Sequence, residues 1–442
     1  MERSDVNSKE RTGAPTRVLL TGTNRWPAPA RLAIGFAKAG CEVSAVCPSP
    51  GHPLLKTRAV QRAFPYSALR PLDSLTAAIE ATDPRIIIPC DDLGVQHLHD
   101  LYVRTRSQGG SGDWIATLIE RSLGSPESYP IVSNRYRLLQ IAREEGLLVP
   151  HTNPIDTTGD FGSGYVGWPF PWVLKADGTW GGKGVRIANV REQAEQFFGE
   201  LTRAPRATAV IKRLVMHRDR LRLWASWHRS KPAVIVQSYI QGRPANCAVA
   251  CWEGKVLAGI GVEVVSAEGL QGPAIVVRVV DNSEMMVAAE RIARRLRLSG
   301  FFGLDFMIED ETNATYLIEM NPRCTPLCHL RLGKGHDMIG SLRAQFAGES
   351  FGNTPPVTHN DMIAYFPQAW TSQSQFLELS FQDVPQEEPD LMDALLHPWS
   401  ERSLVGRAVD SLRRLGRKDR ATPGCVFPAA VMVSEVSETL EV

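Results

Sequence analysis

Short apolar runs, each closed by turn residues and separated by helical patterns, set the rhythm of the first hundred residues. Arg17-Val18-Leu19-Leu20-Thr21-Gly22 predicts a buried strand, and roughly Pro29–Ala39 predicts a helix closed by Gly40. Glu42-Val43-Ser44-Ala45-Val46 predicts the next strand. Asp83-Pro84-Arg85-Ile86-Ile87-Ile88-Pro89 predicts a third, with Asp91 and Asp92 at its C-terminal end. Strands alternating with helices build a parallel sheet covered on both faces. Gly22-Thr23-Asn24-Arg25-Trp26 lacks the second and third glycines of a dinucleotide fingerprint, which argues against that use of such a sheet.

Further along, Ser133-Asn134-Arg135-Tyr136 opens a helix running to about Glu145 and ended by Gly146. Phe170-Pro171-Trp172-Val173-Leu174-Lys175 reads as a strand that delivers a lysine. A helix follows over roughly Glu192–Leu201, and Ala233–Ile240 is an apolar strand leading to a turn at Gln241-Gly242-Arg243-Pro244. Asn246–Cys251 and Lys255–Ile260 form a hairpin around Glu253-Gly254. In the stretch Glu284–Arg297, Met286, Ala289, Ile292, Ala293 and Leu296 recur at helical spacing, with the arginines facing out. Gly300–Glu309 and Ala314–Arg323 read as antiparallel partners joined by the polar turn Asp310–Asn313. A turn centred near Thr312 sets Asp305 opposite Glu319, with Asn321 on the same face. Beyond about residue 350 the pattern weakens, apart from a strand at Met362–Phe366.

Composition narrows the class. At 442 residues and 43% hydrophobic, the chain can bury a core of several domains. A formal net charge of +1 gives no sign of a nucleic-acid or membrane partner. Eight scattered cysteines read as reduced thiols rather than a disulfide framework. The polar start, Met1-Glu2-Arg3-Ser4-Asp5, shows no signal peptide, and no run is long enough for a membrane span, so a cytoplasmic protein is expected.

The chemistry concentrates in two places. After Lys175 comes Ala176-Asp177-Gly178-Thr179-Trp180-Gly181-Gly182-Lys183-Gly184, whose glycines let backbone N–H groups fold close over phosphates. It is not a Walker loop, because Lys183 is followed by Gly184 and not by Ser or Thr. Downstream, Asp305 and Glu319 opposed in an apolar setting repel each other unless a cation lies between them. Asp, Glu and Asn oxygens are hard ligands suited to magnesium. His329 and His336 follow the second strand and could serve a proton transfer or the structure alone. Cys247-x-x-x-Cys251 and Cys324-x-x-x-Cys328-His329 have spacing that zinc permits, but thiols on one face of a core strand also pack well. The segment from Val210 to Lys231, basic with Trp224 and Trp227 interleaved, reads first as a solvated helix face and second as a site for an anionic substrate. Arg413–Arg420 is a second basic run.

Together these motifs resemble the ATP-grasp superfamily, which includes biotin carboxylase, carbamoyl phosphate synthetase and D-alanine–D-alanine ligase. The strongest match is Leu304-Asp305-Phe306 with Ile318-Glu319-Met320-Asn321-Pro322-Arg323. The resemblance covers about residues 17–340 and implies an α/β chain, α+β in its nucleotide-binding lobes. An arm at 1–16 would precede a Rossmann-like parallel sheet at 17–125. A two-lobed ATP-grasp domain would follow at 126–348, with its small lobe at about 150–238 and its large lobe at about 239–348, then a C-terminal extension at 349–442. By the family's pattern Asp305, Glu319 and Asn321 hold magnesium, usually two ions, with manganese an acceptable substitute. Arg135, Lys175, Gly178, Gly181, Gly182, Lys183 and Gly184 meet the phosphates of ATP, the glycine loop closing over them. Gln237-Ser238-Tyr239-Ile240 matches the hinge, where Gln237 and the backbone around Tyr239 and Ile240 read adenine. The family often has an acid shortly after the hinge; here Gly242-Arg243-Pro244-Ala245-Asn246 has none, which leaves Asn246 as the ribose candidate.

The activity the resemblance implies is ADP-forming ligation of a small-molecule carboxylate to an amine through an acyl phosphate. Arg323, Lys175 and Arg278 are the candidate catalytic residues, and a homodimer is compatible with it. The alternatives are an ATP-grasp kinase that releases a phosphorylated product and a non-catalytic nucleotide-binding subunit.

Overall fold

The computed structural model describes residues 15–48, 51–162, 164–178, 184–203, 232–269, 272–352 and 354–397. The N-terminal arm up to residue 14, the loop residues 179–183, and the basic runs at 210–231 and 413–420 lie outside them.

The first sheet is parallel. It contains β1 (Arg17–Thr21), β2 (Glu42–Cys47), β3 (Val60–Pro65) and β4 (Ile86–Pro89) in the order β3-β2-β1-β4. Alternation sends Leu19, Val46 and Ile87 into one core with Leu75, Ile79, Leu98 and Ile119 of the helices after β3 and β4. Val18, Leu20, Ala45 and Ile88 face the other way, against the helix Ala28–Lys38 and the large sheet described below. β3 has a mostly exposed, mixed pattern, which explains why the sequence does not reveal it. The chain leaves β1 toward β2 on one side and returns to β4 on the other. A crevice therefore opens at the C-terminal ends of β1 and β4.

The second sheet is antiparallel: β5 (Thr152–Ile155), β8 (Val234–Ser238), β6 (Trp172–Ala176) and β7 (Val185–Ala188), in the order β5-β8-β6-β7. Trp172, Leu174, Ala176, Val234 and Val236 bury one face with Phe161, Ala194 and Phe198. The opposite face carries Val173, Lys175, Val185, Ile187, Ile235 and Gln237, since these residues pair with one another across the strands.

The third sheet has seven strands in the order β13-β12-β9-β10-β11-β14-β15. They are β9 (Gly242–Trp252), β10 (Lys255–Ala267), β11 (Ala274–Val279), β12 (Gly300–Glu309), β13 (Thr315–Asn321), β14 (Met362–Tyr365) and β15 (Phe381–Asp383). The β9–β10 turn is Glu253-Gly254 with φ of 49° and 83°, the doubly left-handed turn that matches strand twist. One face packs on the helices Arg135–Glu144 and Ser283–Leu296, through Leu138, Leu139, Met285, Ile292 and Leu296. In the second helix Met285 is buried, while Met286, the expected core residue, is only partly so. Cys247 and Cys251 lie in this core as packed thiols.

β14 and β15 show that the chain just past 349 completes this sheet. It also clasps the helix Ala28–Lys38: Phe366, Leu391 and Leu395 bury Ala30 and Ile34. Asp383 bonds Arg31, and Glu388 accepts from Thr57 Oγ1 (3.0 Å) and Arg58 N (3.2 Å). Among the described residues no helix is long and apolar enough to cross a membrane.

Candidate active site

The carboxylate pair is built by register. Asp305 pairs with Glu319 and Gly303 with Asn321, and a bulge at Ile318 then returns Leu317 to Phe306. The bulge lets Glu319 stay on the face of Asp305 while Leu317 and Met320 both stay in the core on the other side. Asn246 of β9 pairs with Asp305, so it lies beside the carboxylates.

A polar chain fixes this face. Asn321 donates Nδ2 to Asp305 Oδ2 at 3.0 Å and accepts Arg323 Nη2 on Oδ1 at 3.0 Å. Arg323 also donates Nε to Asp92 Oδ1 at 3.0 Å and Nη1 to Cys324 O at 3.2 Å, and its guanidinium lies 5.0 Å from the Trp26 ring centroid. Asp92 and Trp26 stand in the crevice of the parallel sheet, so Arg323 joins that crevice to the carboxylates. The crevice loop is rigid. The buried Asp91 carboxylate accepts from Thr23 Oγ1 (2.9 Å), Asn24 N (3.0 Å) and Gly94 N (2.8 Å). His52 Nδ1 accepts Leu54 N at 3.1 Å, which leaves Nε2–H to donate to Asn24 O at 2.8 Å. Burial keeps that ring neutral, its pKa brought down to about 4.

Two cations come from other elements. Arg135 is the first residue of its helix, after the cap Asn134, whose side chain accepts Arg137 N at 2.9 Å. It donates Nη2 to Glu319 Oε1 at 2.6 Å and Nη1 to Asp177 Oδ1 at 3.1 Å. Lys175 is 6% exposed on β6. Burial pushes its pKa down to about 8, with Arg135 adding to the fall and Glu319 and Asp305 opposing it. Burial and the neighbouring Glu319 push Asp305 up to about 6. Burial would raise Glu319 as well, but Arg135 and Lys175 outweigh it and hold Glu319 below its ordinary value.

The donor set fits magnesium. Among the described residues no three His, Cys, Asp or Glu side chains are arranged to cage a metal. Asp305 and Glu319 supply two carboxylates, and Asn321 Oδ1 keeps a second lone pair. Such a set suits a cation that takes its other ligands from phosphate and water.

At the expected hinge, Gln237 is 1% exposed and donates Nε2 to Thr152 Oγ1 at 3.2 Å. Tyr239 N–H donates to Pro171 O at 3.3 Å, so this amide is already engaged. Gly178 and Gly184 flank the residues outside the description, and Ala176 N bonds Gly184 O at 3.0 Å. Gly181, Gly182 and Lys183 fall among the undescribed residues.

One expectation changes, and one open alternative narrows. Arg278 does not join the site. The pairing runs Asp305–Asn246–Val262–Val279, so Val279 shares the face of Asp305 and Arg278 points to the other. It lies 3.7 Å from Asp361 there and is half exposed. His329 bonds Asp383 at 2.7 Å with 8% of its side chain exposed, and His336 bonds Gly259 O at 2.6 Å. These partners favour a structural role for both rings. Asp177 and Trp26, in turn, carry no sequence signal that singles them out.

The chain matches the model of the ATP-grasp domain over residues 132–326. No curated protein matches it in sequence. Among solved structures it is similar to N5-carboxyaminoimidazole synthetase from Staphylococcus aureus complexed with ADP, at 14% identity over 76% of this chain and 78% of that one, TM-score 0.52. It is also similar to the biotin carboxylase domain dimer of Hydrogenobacter thermophilus 2-oxoglutarate carboxylase, with MgADP, ADP and bicarbonate, at 14% over 77% and 71%, TM-score 0.53. A third is L-amino acid ligase from Bacillus licheniformis, at 12% over 77% and 78%, TM-score 0.50. At these identities the likeness is one of fold. With the domain match and the carboxylate strands in register, residues 132–326 are an ATP-grasp domain, and the likeness to these structures extends the shared fold over about three quarters of the chain.

Proposed function

We propose that this protein is an ADP-forming carboxylate–amine ligase that uses ATP and magnesium to make an amide or peptide-like bond. The observation that carries the reading is the pairing of Asp305 with Glu319 on one face, with Lys175 and Arg135 brought to it from separate elements. The names of the similar structures support it: one is complexed with ADP, one holds MgADP and bicarbonate, and one is an amino acid ligase. A homodimer belongs to the same proposal, since the carboxylase domain is described as a dimer, and so does a cytoplasmic location.

In this reading adenine lies on the apolar shelf of Val173, Ile187 and Ile235. Gln237 Oε1 accepts from the adenine amino group. Ile240 N–H donates to the ring, because Tyr239 N–H is engaged with Pro171. Lys175 and Arg135 bind the phosphates, together with Gly178, Gly181, Gly182, Lys183 and Gly184. Asp305, Glu319 and Asn321 hold magnesium, as two ions or with manganese in its place. When bound, magnesium neutralises charge on the transferring phosphoryl group. Lys175 meets the rest of that charge from a dry position where its field is strong. Arg323, held flat by Trp26, Asp92 and Asn321, steadies the acyl phosphate until the amine displaces phosphate. Arg278 is left out of this site.

The test is phosphate release from ATP and magnesium with a panel of carboxylates, with hydroxylamine as trap. A hydroxamate identifies the activated acid. Accumulation of a phosphorylated product with no hydroxamate across the panel replaces the ligase by a kinase.

A further inference from the structure

Arg135 has two carboxylate partners that come from different sheets. Nη2 donates to Glu319 on β13, and Nη1 donates to Asp177 and to Ala176 O (3.4 Å) at the end of β6. Only 10% of its side chain is exposed, and its Nε is buried with no hydrogen-bond partner among the described residues. Asp177 is held in turn by its backbone, whose N–H donates to Ala233 O at 2.9 Å. Its carboxylate is therefore aimed at Arg135 from a fixed point, beside Gly178 with its φ of 70°.

An acid at this place needs a reason. It adds negative charge next to a segment proposed to hold phosphates, where repulsion at short range is strong. Its one described side-chain partner is Arg135. The geometry points to Asp177 as a positioning residue: it holds Arg135 by the Nη1 edge, so that Glu319 is engaged through Nη2 alone and stays open to a cation. Without Asp177 the planar fork is free to lie on Glu319 with two parallel bonds, the pairing that guanidinium and carboxylate favour. That pairing competes with a divalent cation for the same oxygens. With Asp177 in place, Glu319 gives up a single bond when the cation arrives. The freed Nη2 edge and the unpartnered Nε of Arg135 then face the phosphates. The ligand class served is a nucleoside di- or triphosphate with its divalent cation. The inference rests on the nucleotide part of the proposed function and not on the identity of the acid or amine.

The experiment is calorimetric titration with ADP at a series of magnesium concentrations. In Asp177→Asn, the magnesium concentration that gives half-maximal ADP affinity rises by about tenfold or more, the size typical of residues that orient a metal ligand. Asp177→Glu shows a smaller shift in the same direction, and it serves as the test if the asparagine variant does not fold. In an Arg135→Ala background, Asp177→Asn causes no further shift, because its effect passes through that arginine. A folded Asp177→Asn with wild-type magnesium dependence overturns the inference. So does tighter ADP binding with unchanged magnesium dependence, which would mark Asp177 as a mere charge burden. If the wild-type chain binds no ADP with magnesium present, the nucleotide reading itself fails, an outcome distinct from both.

Discussion

Arg31, His329 and Asp383 form one buried ionic cluster in this chain; Arg135, Lys175, Asp177, Asp305 and Glu319 form another. In the first, burial would raise the Asp383 carboxyl, yet His329 and Arg31 hold it well below the ordinary carboxylate range. In the second, an acid and a base are both driven toward neutrality: Asp305 up to about 6 and Lys175 down to about 8, each with burial as the largest cause. The first cluster answers its own charges and ties β15 to the helix Ala28–Lys38. The second does not answer its own, and it brings together residues of two different sheets. Charges perturbed by burial and unbalanced by neighbours mark a place where the missing counter-charge arrives from outside.

The sharpest break between the clusters is turnover. Glu319→Gln is expected to lower phosphate release by about a thousandfold or more, since it removes a proposed metal ligand on which the transferring charge would depend. Its melting temperature should stay within a few degrees of wild type. Unchanged turnover in a folded variant would remove Glu319 from the metal site and erase the contrast. Asp383→Ala should do the opposite. Taking one partner from a buried ionic cluster destabilises by about 3–5 kcal/mol, read by denaturant unfolding, while ADP affinity per folded molecule is unchanged. The Asp383 contribution has a pH signature. Its folded pKa is depressed, so its stabilisation is present above the ordinary carboxylate pKa and is lost as pH falls below it. The gap between wild type and Asp383→Ala should therefore narrow in acid.

Lys175→Met tests the second cluster from the other side. It removes a buried charge that lacks a full counter-charge, so the empty protein should gain about 1–3 kcal/mol. The melting-temperature rise that wild type shows on adding ADP and magnesium should vanish in this variant. A variant less stable than wild type would place Lys175 with the structural cluster instead.

The two clusters also differ in how far they can be read from the sequence. The pairing of Asp305 with Glu319 is local: two alternating strands joined by a polar turn fix the register, and with it the face. Lys175 is marked by the strand before it and the glycines after it. Arg135 could be placed only through the family pattern, because its partners Asp177 and Glu319 are 42 and 184 residues away. The structural cluster is less legible still, with Arg31 and Asp383 separated by 352 residues. The face of Arg278 is hidden from the sequence for a related reason. Ala274-Ile275-Val276-Val277-Arg278-Val279 is nearly all apolar, so no alternation says which face the arginine takes. That face is set by pairing with Glu263 of β10, in the regular stretch before a bulge.

The smallest effect separates the clusters without any change of fold. Lys175 has its pKa lowered from the ordinary 10.5 to about 8. Below pH 8 it is charged in the folded and the unfolded chain, and the penalty of burying that charge is fully present. Between about 8 and 10.5 the unfolded chain holds the proton and the folded chain does not, so the stability of the empty protein rises with pH. Nucleotide affinity moves the other way. Phosphates favour the charged lysine, so binding above pH 8 requires uptake of a proton that is already bound below it. ADP affinity should be level up to about pH 8 and then fall by up to about tenfold per pH unit, the slope of one proton. Lys175→Arg, with a guanidinium that stays charged throughout, should flatten the profile. Asp383→Ala should leave it as in wild type, because that cluster touches neither the lysine nor the phosphates. Calorimetry in two buffers of different ionisation enthalpy reads the proton directly. About one proton taken up per ADP at pH 9, and none at pH 7, is the expected result, while equal uptake at both would show that Lys175 does not carry the charge that phosphate binding uses.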